Sequence, residues 1–283
     1  MRKTQKIALS IIGMILALIA LSPFYLVLVN VGKTSSDIIL SPLSWPTDFN
    51  QFIENITGVM NNPNFMFWRS FFNSIIVSVI TLTLFALFAS MAAWVLCRNK
   101  TWWSNLIYMI FVSAMVIPFQ VVMLPLLSVF RIIQDFTGIP MLGNIGGLVF
   151  SYMGFGGALS IFIIHGFVKG IPRELEEAAE IDGCSKAGIF FKIIFPLLRP
   201  VQMTVVILQG IWIWNDFLLP SMLLGLRGDS RTLPVSVASL IGSFVVQWDL
   251  LLSAAFLAMI PFVILFLCAQ KFIIKGMISG AIK

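Results

Sequence analysis

A chain of 283 residues with 59% hydrophobic and 11% charged side chains and a mean hydropathy of +1.00 has too little polar surface to cover a soluble globule of its size. The composition places it in a bilayer, as an all-α integral membrane protein. Its formal charge of +6 calls for no nucleic acid, because basic residues collect on the inner face of a membrane.

A spanning helix needs about 20 mostly apolar residues, and six intervals qualify: about 7–31, 71–97, 105–130, 145–168, 201–224 and 250–270. Arg2, Lys3 and Lys6 before the first interval imitate a signal peptide. That interval, however, exceeds the h-region of about 7–15 residues and shows no A-x-A site before Ser22 and Pro23, so it reads as an uncleaved span. The outer loop that follows, about 31–69, holds Pro42, Pro46 and Pro63 as turn residues. Within it Phe49, Phe52, Ile53, Ile56 and Met60 recur at helical spacing, which predicts a short amphipathic helix on the outer surface. Asn55, Ile56 and Thr57 form a glycosylation sequon, a pattern too common by chance to carry weight. Pro118, Pro125 and the glycines between 154 and 157 mark either bends or tight packing. The sole histidine, His165, has no Cys, Asp or Glu at ligand spacing and reads as structural.

The cytoplasmic interval 169–199 has its own logic. Pro172 suits a first helical turn, and Glu174, Glu176 and Glu177 complement the helix dipole there. Gly183 supplies the left-handed position that ends this helix. A second helix from about 185 to 195 is expected to stop at Pro196. Leu175, Ala178, Ala179 and Asp182 fall on one face by i, i+3, i+4 and i+7 spacing, and paired alanines admit a close neighbour. That face either packs on the chain's own inner helix ends or receives a partner.

Span five carries Asp216, an ionisable group inside a predicted membrane segment and thus a functional-site candidate. Gln202, Gln209 and Asp216 recur every seven residues, with Trp212 on the adjoining position, and Asp216 lies about 24 Å along the span at about 1.5 Å per residue. Two readings stand side by side. Trp212 and Trp214 can stack on sugar rings while Gln209, Asn215 and Asp216 bond hydroxyls, making Gln202, Gln209, Trp212, Asn215 and Asp216 a translocation path. Alternatively, Asp216 anchors one helix to another and the tryptophans belong to the interfacial belt.

Orientation follows from Lys and Arg. With the N-terminus inside, Arg2, Lys3, Lys6, Arg98, Lys100, Lys169, Arg173, Lys186, Lys192, Arg199, Lys271, Lys275 and Lys283 are cytoplasmic, against Lys33, Arg69, Arg131, Arg227 and Arg231 outside. Both termini are therefore cytoplasmic. Cys97, Cys184 and Cys268 then lie toward a reducing face, where an odd count argues against disulfides. The segment from Gly276 to Lys283 reads as a small, flexible, basic tail.

Glu177-Ala178-Ala179, Gly183, Ile193 and Pro196 resemble the coupling motif of ATP-binding-cassette (ABC) importer permeases: E-A-A, three residues, Gly, nine residues, I-x-L-P. Phe195 stands where Leu is usual. Asn73-Ser74, Ala92-Ala93-Trp94 with Arg98, Trp214 to Phe217 and Gly276 to Ala281 are similar to the carbohydrate-uptake branch, the MalG-like permeases. The resemblance implies a single ABC importer transmembrane domain over 1–283 in a bacterial plasma membrane. Its coupling helix would dock on an ATPase subunit through Glu177, Ala178, Ala179, Asp182 and Gly183. It also implies a MalF-like second permease, two ATPase subunits that use ATP and Mg, and an extracytoplasmic sugar-binding protein. This chain is expected to bind no cofactor and to catalyse nothing.

Other classes fit less well. A secondary transporter usually needs several intramembrane acids, and an enzyme needs a clustered nucleophile, base or metal set. A nearer alternative is an ABC permease for another polar solute, such as a polyamine or amino acid, because the coupling motif is shared among importers.

Overall fold

The computed structural model describes residues 3–226, 228–241 and 246–281. The regular structure of these residues is helical. Two compact units emerge, Met1–Trp68 with Ser236–Pro261 and Arg69–Val235 with Phe262–Lys283.

In the first unit, α1 (Lys3–Asn30) runs through Pro23 without a break, and most of its apolar side chains are exposed, as suits a helix facing lipid. Helix α2 (Ser35–Leu40) starts at Thr34, whose hydroxyl accepts from Asp37 N, and α3 (Phe49–Asn61) starts at Asp48, whose carboxylate accepts from Asn50 N. The amphipathic helix expected in the outer loop is thus present as α3. Its inward residues are Asn55 and Val59, while Phe49 stays exposed. The Asn55 amide donates to the carbonyls of Val31 and Lys33, both at 2.9 Å, so the sequon asparagine is a buried tie and not a surface acceptor. Lys33 is buried as well, with its ammonium donating to Asn30 Oδ1 and the Ser41 carbonyl. Burial lowers its pKa from the ordinary lysine value, against the opposing pull of Asp37.

The second unit is built round a continuous run from Phe67 to Arg98, made of α4 (Phe67–Leu84), a π turn (Phe85–Ala89) and α5 (Ser90–Arg98). After it come α6 (Trp102–Ala114), α7 (Phe119–Thr137) and α8 (Ile145–Val168). Apolar residues lie on every side of α8, and its Leu148, Tyr152, Ile164 and Val168 are fully buried, which makes it the central helix of the unit. The single span expected over 105–130 is instead two helices, α6 and α7, separated at Met115 to Pro118. Pro118 explains the break: it lacks an N–H and disfavours helical geometry in the residue before it.

A second interrupted segment lies at 201–224. There α12 (Arg199–Asn215) stops at Asp216, and α13 (Leu218–Leu224) begins two residues later. The Asp216 carboxylate accepts from Leu218 N at 3.0 Å and so initiates the new helix. Helix α14 (Leu233–Ser239) precedes α15 (Trp248–Ala281), whose backbone is helical well past the expected inner boundary at 270. The segment from Gly276 to Ala281, expected to be a flexible tail, is therefore helical. Lys283 lies outside the described residues, as does the side chain of Cys268, while Cys97 and Cys184 are free thiols.

Gln5–Asn30, Phe67–Arg98, Phe119–Thr137 and Ile145–Val168 are each long and apolar enough to cross a bilayer. A fifth crossing is available if Lys186–Leu197 and Arg199–Asn215, bent by 69°, act together.

Candidate functional site

Helix α9 (Glu174–Ile181) opens on three glutamates, Glu174, Glu176 and Glu177, and closes at Gly183. Gly183 has φ +79, the left-handed conformation that only glycine adopts freely. Around it Gly183 N donates to Glu180 O and Cys184 N donates to Ala179 O, the paired bonds of a Schellman ending. The C-terminal end is thus capped as the sequence predicts, whereas Pro172 lies ahead of the N-cap residue Arg173 and outside the first turn expected for it.

The two alanines of the motif diverge. Ala179 is 6% exposed and packs into the core with Ala93, Val168 and Phe190, whereas Ala178 faces outward with Glu177 and Asp182. The expectation of one shared face for Leu175, Ala178, Ala179 and Asp182 is corrected accordingly. Ile181 takes the place of Ala179 on the outer face, at 87% exposure, beside Leu175 at 44%. Two exposed aliphatic side chains flanked by acids on a short projecting helix make a surface suited to a partner.

The descending arm begins at Ser185, whose hydroxyl accepts from Gly188 N, and comprises α10 (Lys186–Ile189), a second π turn (Phe190–Ile194) and α11 (Phe195–Leu197). Pro196 does not stop this helix. It falls at the changeover from π to α hydrogen bonding, and the bend comes two residues later at Leu198.

The inner end of α5 grips α9, a contact that sequence reading missed. Arg98 Nε donates to Glu176 Oε1 at 2.7 Å, and Trp94 Nε1 donates to Glu176 Oε2 at 3.0 Å. The Arg98 and Glu176 side chains are only 14% and 13% exposed. A second guanidinium nitrogen of Arg98 donates to the Ile171 carbonyl at 2.9 Å, and Arg173 donates back to the Arg98 carbonyl at 2.7 Å. Beside this grip lies a polar cavity of about 310 Å³ reached by Arg173, Glu177, Glu180 and Lys186.

Two polar positions of α12, Gln202 and Gln209, bond to other helices. Gln202, buried, donates to Ser90 Oγ at 3.1 Å, and Gln209, 3% exposed, donates to the Gly156 carbonyl at 2.8 Å and to Ser160 Oγ at 3.2 Å. Asp216 accepts from the Tyr152 hydroxyl at 2.9 Å. Asn215 is exposed and donates to Ile211 O within its own helix. Trp212 packs edge-on against Tyr152 and lines an apolar cavity of about 400 Å³ with Phe119, Leu126, Phe130 and Phe155. His165 stacks on Tyr108 with ring centroids 4.0 Å apart, and the described residues contain no group of three metal-ligating side chains.

Residues 85–279, well over half of the chain and inclusive of α9 and the descending arm, match the family described as "Binding-protein-dependent transport system inner membrane component". The chain belongs to this family. It is 40% identical over its full length, and that of its relative, to the "Probable starch degradation products transport system permease protein AmyC" of Thermoanaerobacterium thermosulfurigenes. It is 33% identical, again over both full lengths, to the "Melibiose/raffinose/stachyose import permease protein MelC" of Bacillus subtilis (strain 168). Its fold is similar to a chain in the crystal structure of a bacterial ABC transporter involved in the import of the acidic polysaccharide alginate. That likeness has a TM-score of 0.78 and 20% identity, covering 96% of this chain and 98% of the other.

This inner membrane transport component also fixes an outer loop. Asn73 donates from its amide to the carbonyls of Asp229 and Arg231, both at 3.1 Å, and Ser74 Oγ accepts from Leu233 N at 2.8 Å. Arg69 pairs with Asp229 at 2.9 Å. The start of α4 thereby holds the segment between α13 and α14.

Proposed function

We propose that the chain is the permease subunit of an ATP-driven oligosaccharide importer, forming half of the pore and coupling it to a separate ATPase. The observation that carries this reading is the outward face of α9, with Leu175, Ala178, Ile181 and Asp182 beside Glu177, on a helix capped at Gly183. In this reading α9 docks on an ATPase subunit. Six spans with both termini cytoplasmic, a MalF-like second permease, two ATPase subunits and an extracytoplasmic sugar-binding protein complete the complex. ATP and Mg are used by the ATPase pair, and this chain holds neither. Closure of that pair rotates the docked helices, opens the pore toward the loaded binding protein, and resets on hydrolysis. The C-terminal segment from Gly276 contacts the ATPases, so deleting 276–283 lowers coupled ATPase activity and uptake without lowering the amount of permease in the membrane.

The substrates that the names of AmyC and MelC carry, starch degradation products and melibiose, raffinose and stachyose, support an oligosaccharide over a polyamine or amino acid. Proteoliposomes holding the permease with its co-encoded partners test this. Uptake of maltotriose or raffinose, and none of putrescine or glutamine, is the expected result. Uptake of putrescine or glutamine alone overturns the substrate class.

A further inference from the structure

We propose that Trp94 and Arg98 are positioning residues for transport, latching the inner end of the second span to the coupling helix through Glu176. This rests on the reading of α9 as the helix that docks on an ATPase.

A docked α9 is covalently continuous with α8 through Ile171 and with α12 through the descending arm. Movement delivered to α9 therefore reaches those two helices along the backbone. The second span packs on α8, but no short backbone path joins it to α9 itself, since its inner end Arg98 is separated from Glu176 by 78 residues of chain. Side chains make the link instead. Both oxygens of the Glu176 carboxylate are engaged from α5, one by the Arg98 guanidinium and one by the Trp94 indole. Arg98 also holds Ile171 O, the last turn before Pro172, while Arg173 holds Arg98 O, so the link runs in both directions. The Trp94 ring lies 5.5 Å from the ring of Phe190, which extends the contact to the descending arm. Ala93, at 0% exposure, and Ala179, at 6%, both belong to the apolar core of this unit.

A charge pair that is nearly buried and bonded on every side resists displacement, whereas an exposed pair such as Arg69–Asp229, at 54% and 63% exposure, is worth little. Glu176 thus has a different task from its neighbour Glu177, which points outward. The inner glutamate fastens the coupling helix to the second span, and the outer one is left for the ATPase.

The test is the amount of ATP hydrolysed per maltotriose imported by proteoliposomes containing the whole complex. Glu176→Gln and Arg98→Gln should raise that ratio by about fivefold or more, the lower end of a typical coupling free energy. Trp94→Phe, which keeps the ring and loses the indole N–H, should raise it less. Exchanging the charges, Arg98→Glu with Glu176→Arg, restores the ion pair but neither the bond to Ile171 O nor that from Trp94, and should recover the ratio only in part. A merely structural role would lower hydrolysis and import together and leave the ratio unchanged, and that result in Glu176→Gln and Trp94→Phe overturns the latch. Gly183→Asp separates the two ideas: if it also transports at the normal ratio, the docking role of α9 itself is wrong.

Discussion

The hydroxyl of Tyr152 donates to Oδ2 of Asp216 at 2.9 Å, while Oδ1 of the same carboxylate accepts from Leu218 N at 3.0 Å. One side chain thus ties the central helix to the break in the fifth span and also starts the helix beyond it. The interhelical bond gives this carboxylate a partner inside an apolar segment.

Tyr152→Phe should therefore lower the thermal stability of the purified complex, by about 1–3 kcal/mol for a buried acceptor left without its donor. Asp216→Asn keeps an acceptor for Leu218 N, and its NH2 can donate to the Tyr152 hydroxyl in place of accepting from it, so it should cost less. If Asp216 instead bonds sugar hydroxyls, Asp216→Asn will depress maltotriose uptake at an unchanged melting temperature.

For the coupling helix, Gly183→Asp and Glu177→Lys should each abolish uptake while the permease still inserts and assembles. The first puts a side chain on a residue at φ +79, and the second reverses an outward charge. Western blotting of membranes beside uptake assays checks this, and normal transport by either assembled variant removes the docking assignment.

Two adjacent glycines in α8 should respond differently. A Cβ on Gly156 would lie 2.5 Å from Phe85 Cζ and 3.0 Å from Gln209 Oε1, whereas a Cβ on Gly157 meets nothing within 4 Å. Gly156→Ala should destabilise by about 1–3 kcal/mol through overpacking. Gly157→Ala should be neutral or mildly stabilising, because alanine is the better helix former by about 1 kcal/mol. Equal melting temperatures for the two variants would contradict the close packing at Gly156.

On the outer side, Asn73→Ala removes two bonds to the carbonyls of Asp229 and Arg231 and should free the segment between α13 and α14. Arg69→Ala removes an exposed ion pair, worth about 0–1 kcal/mol, and should change little. A cysteine at Ser230 should crosslink to the binding protein during turnover, with Asn73→Ala weakening that crosslink. Labelling of Ser230→Cys from the cytoplasm alone would invert the topology.

Some of this architecture is legible in the chain and some is not, for physical reasons. Charge-free runs locate α1, α8 and the continuous Phe67–Arg98 run, because burial in lipid is written in composition. Pro172, the first-turn glutamates and Gly183 locate α9, because capping chemistry is local. The interruption at Asp216 is hidden, since a hydropathy run counts apolar side chains and is blind to where the backbone stops bonding to itself, whereas Pro118 signals the one at Met115 to Pro118 without telling a bend from tight packing. The inward turn of Ala179 is hidden for a different reason: helical spacing groups residues on a face, but only the surrounding helices decide which side is covered. The grip of Trp94 and Arg98 on Glu176 joins residues too far apart in sequence for any local pattern to pair them.

The π turn at Phe85–Ala89 has a geometrical consequence for that grip. A π turn accommodates one residue more than the α-helix around it, and each residue of an α-helix advances the azimuth by about 100°. Removing a single residue there would let α4 and α5 run as one regular helix and would swing Trp94 and Arg98 about a quarter of a circle away from Glu176. The second span thus behaves like a key with one wide tooth, cut so that its inner end meets the loop in the correct phase.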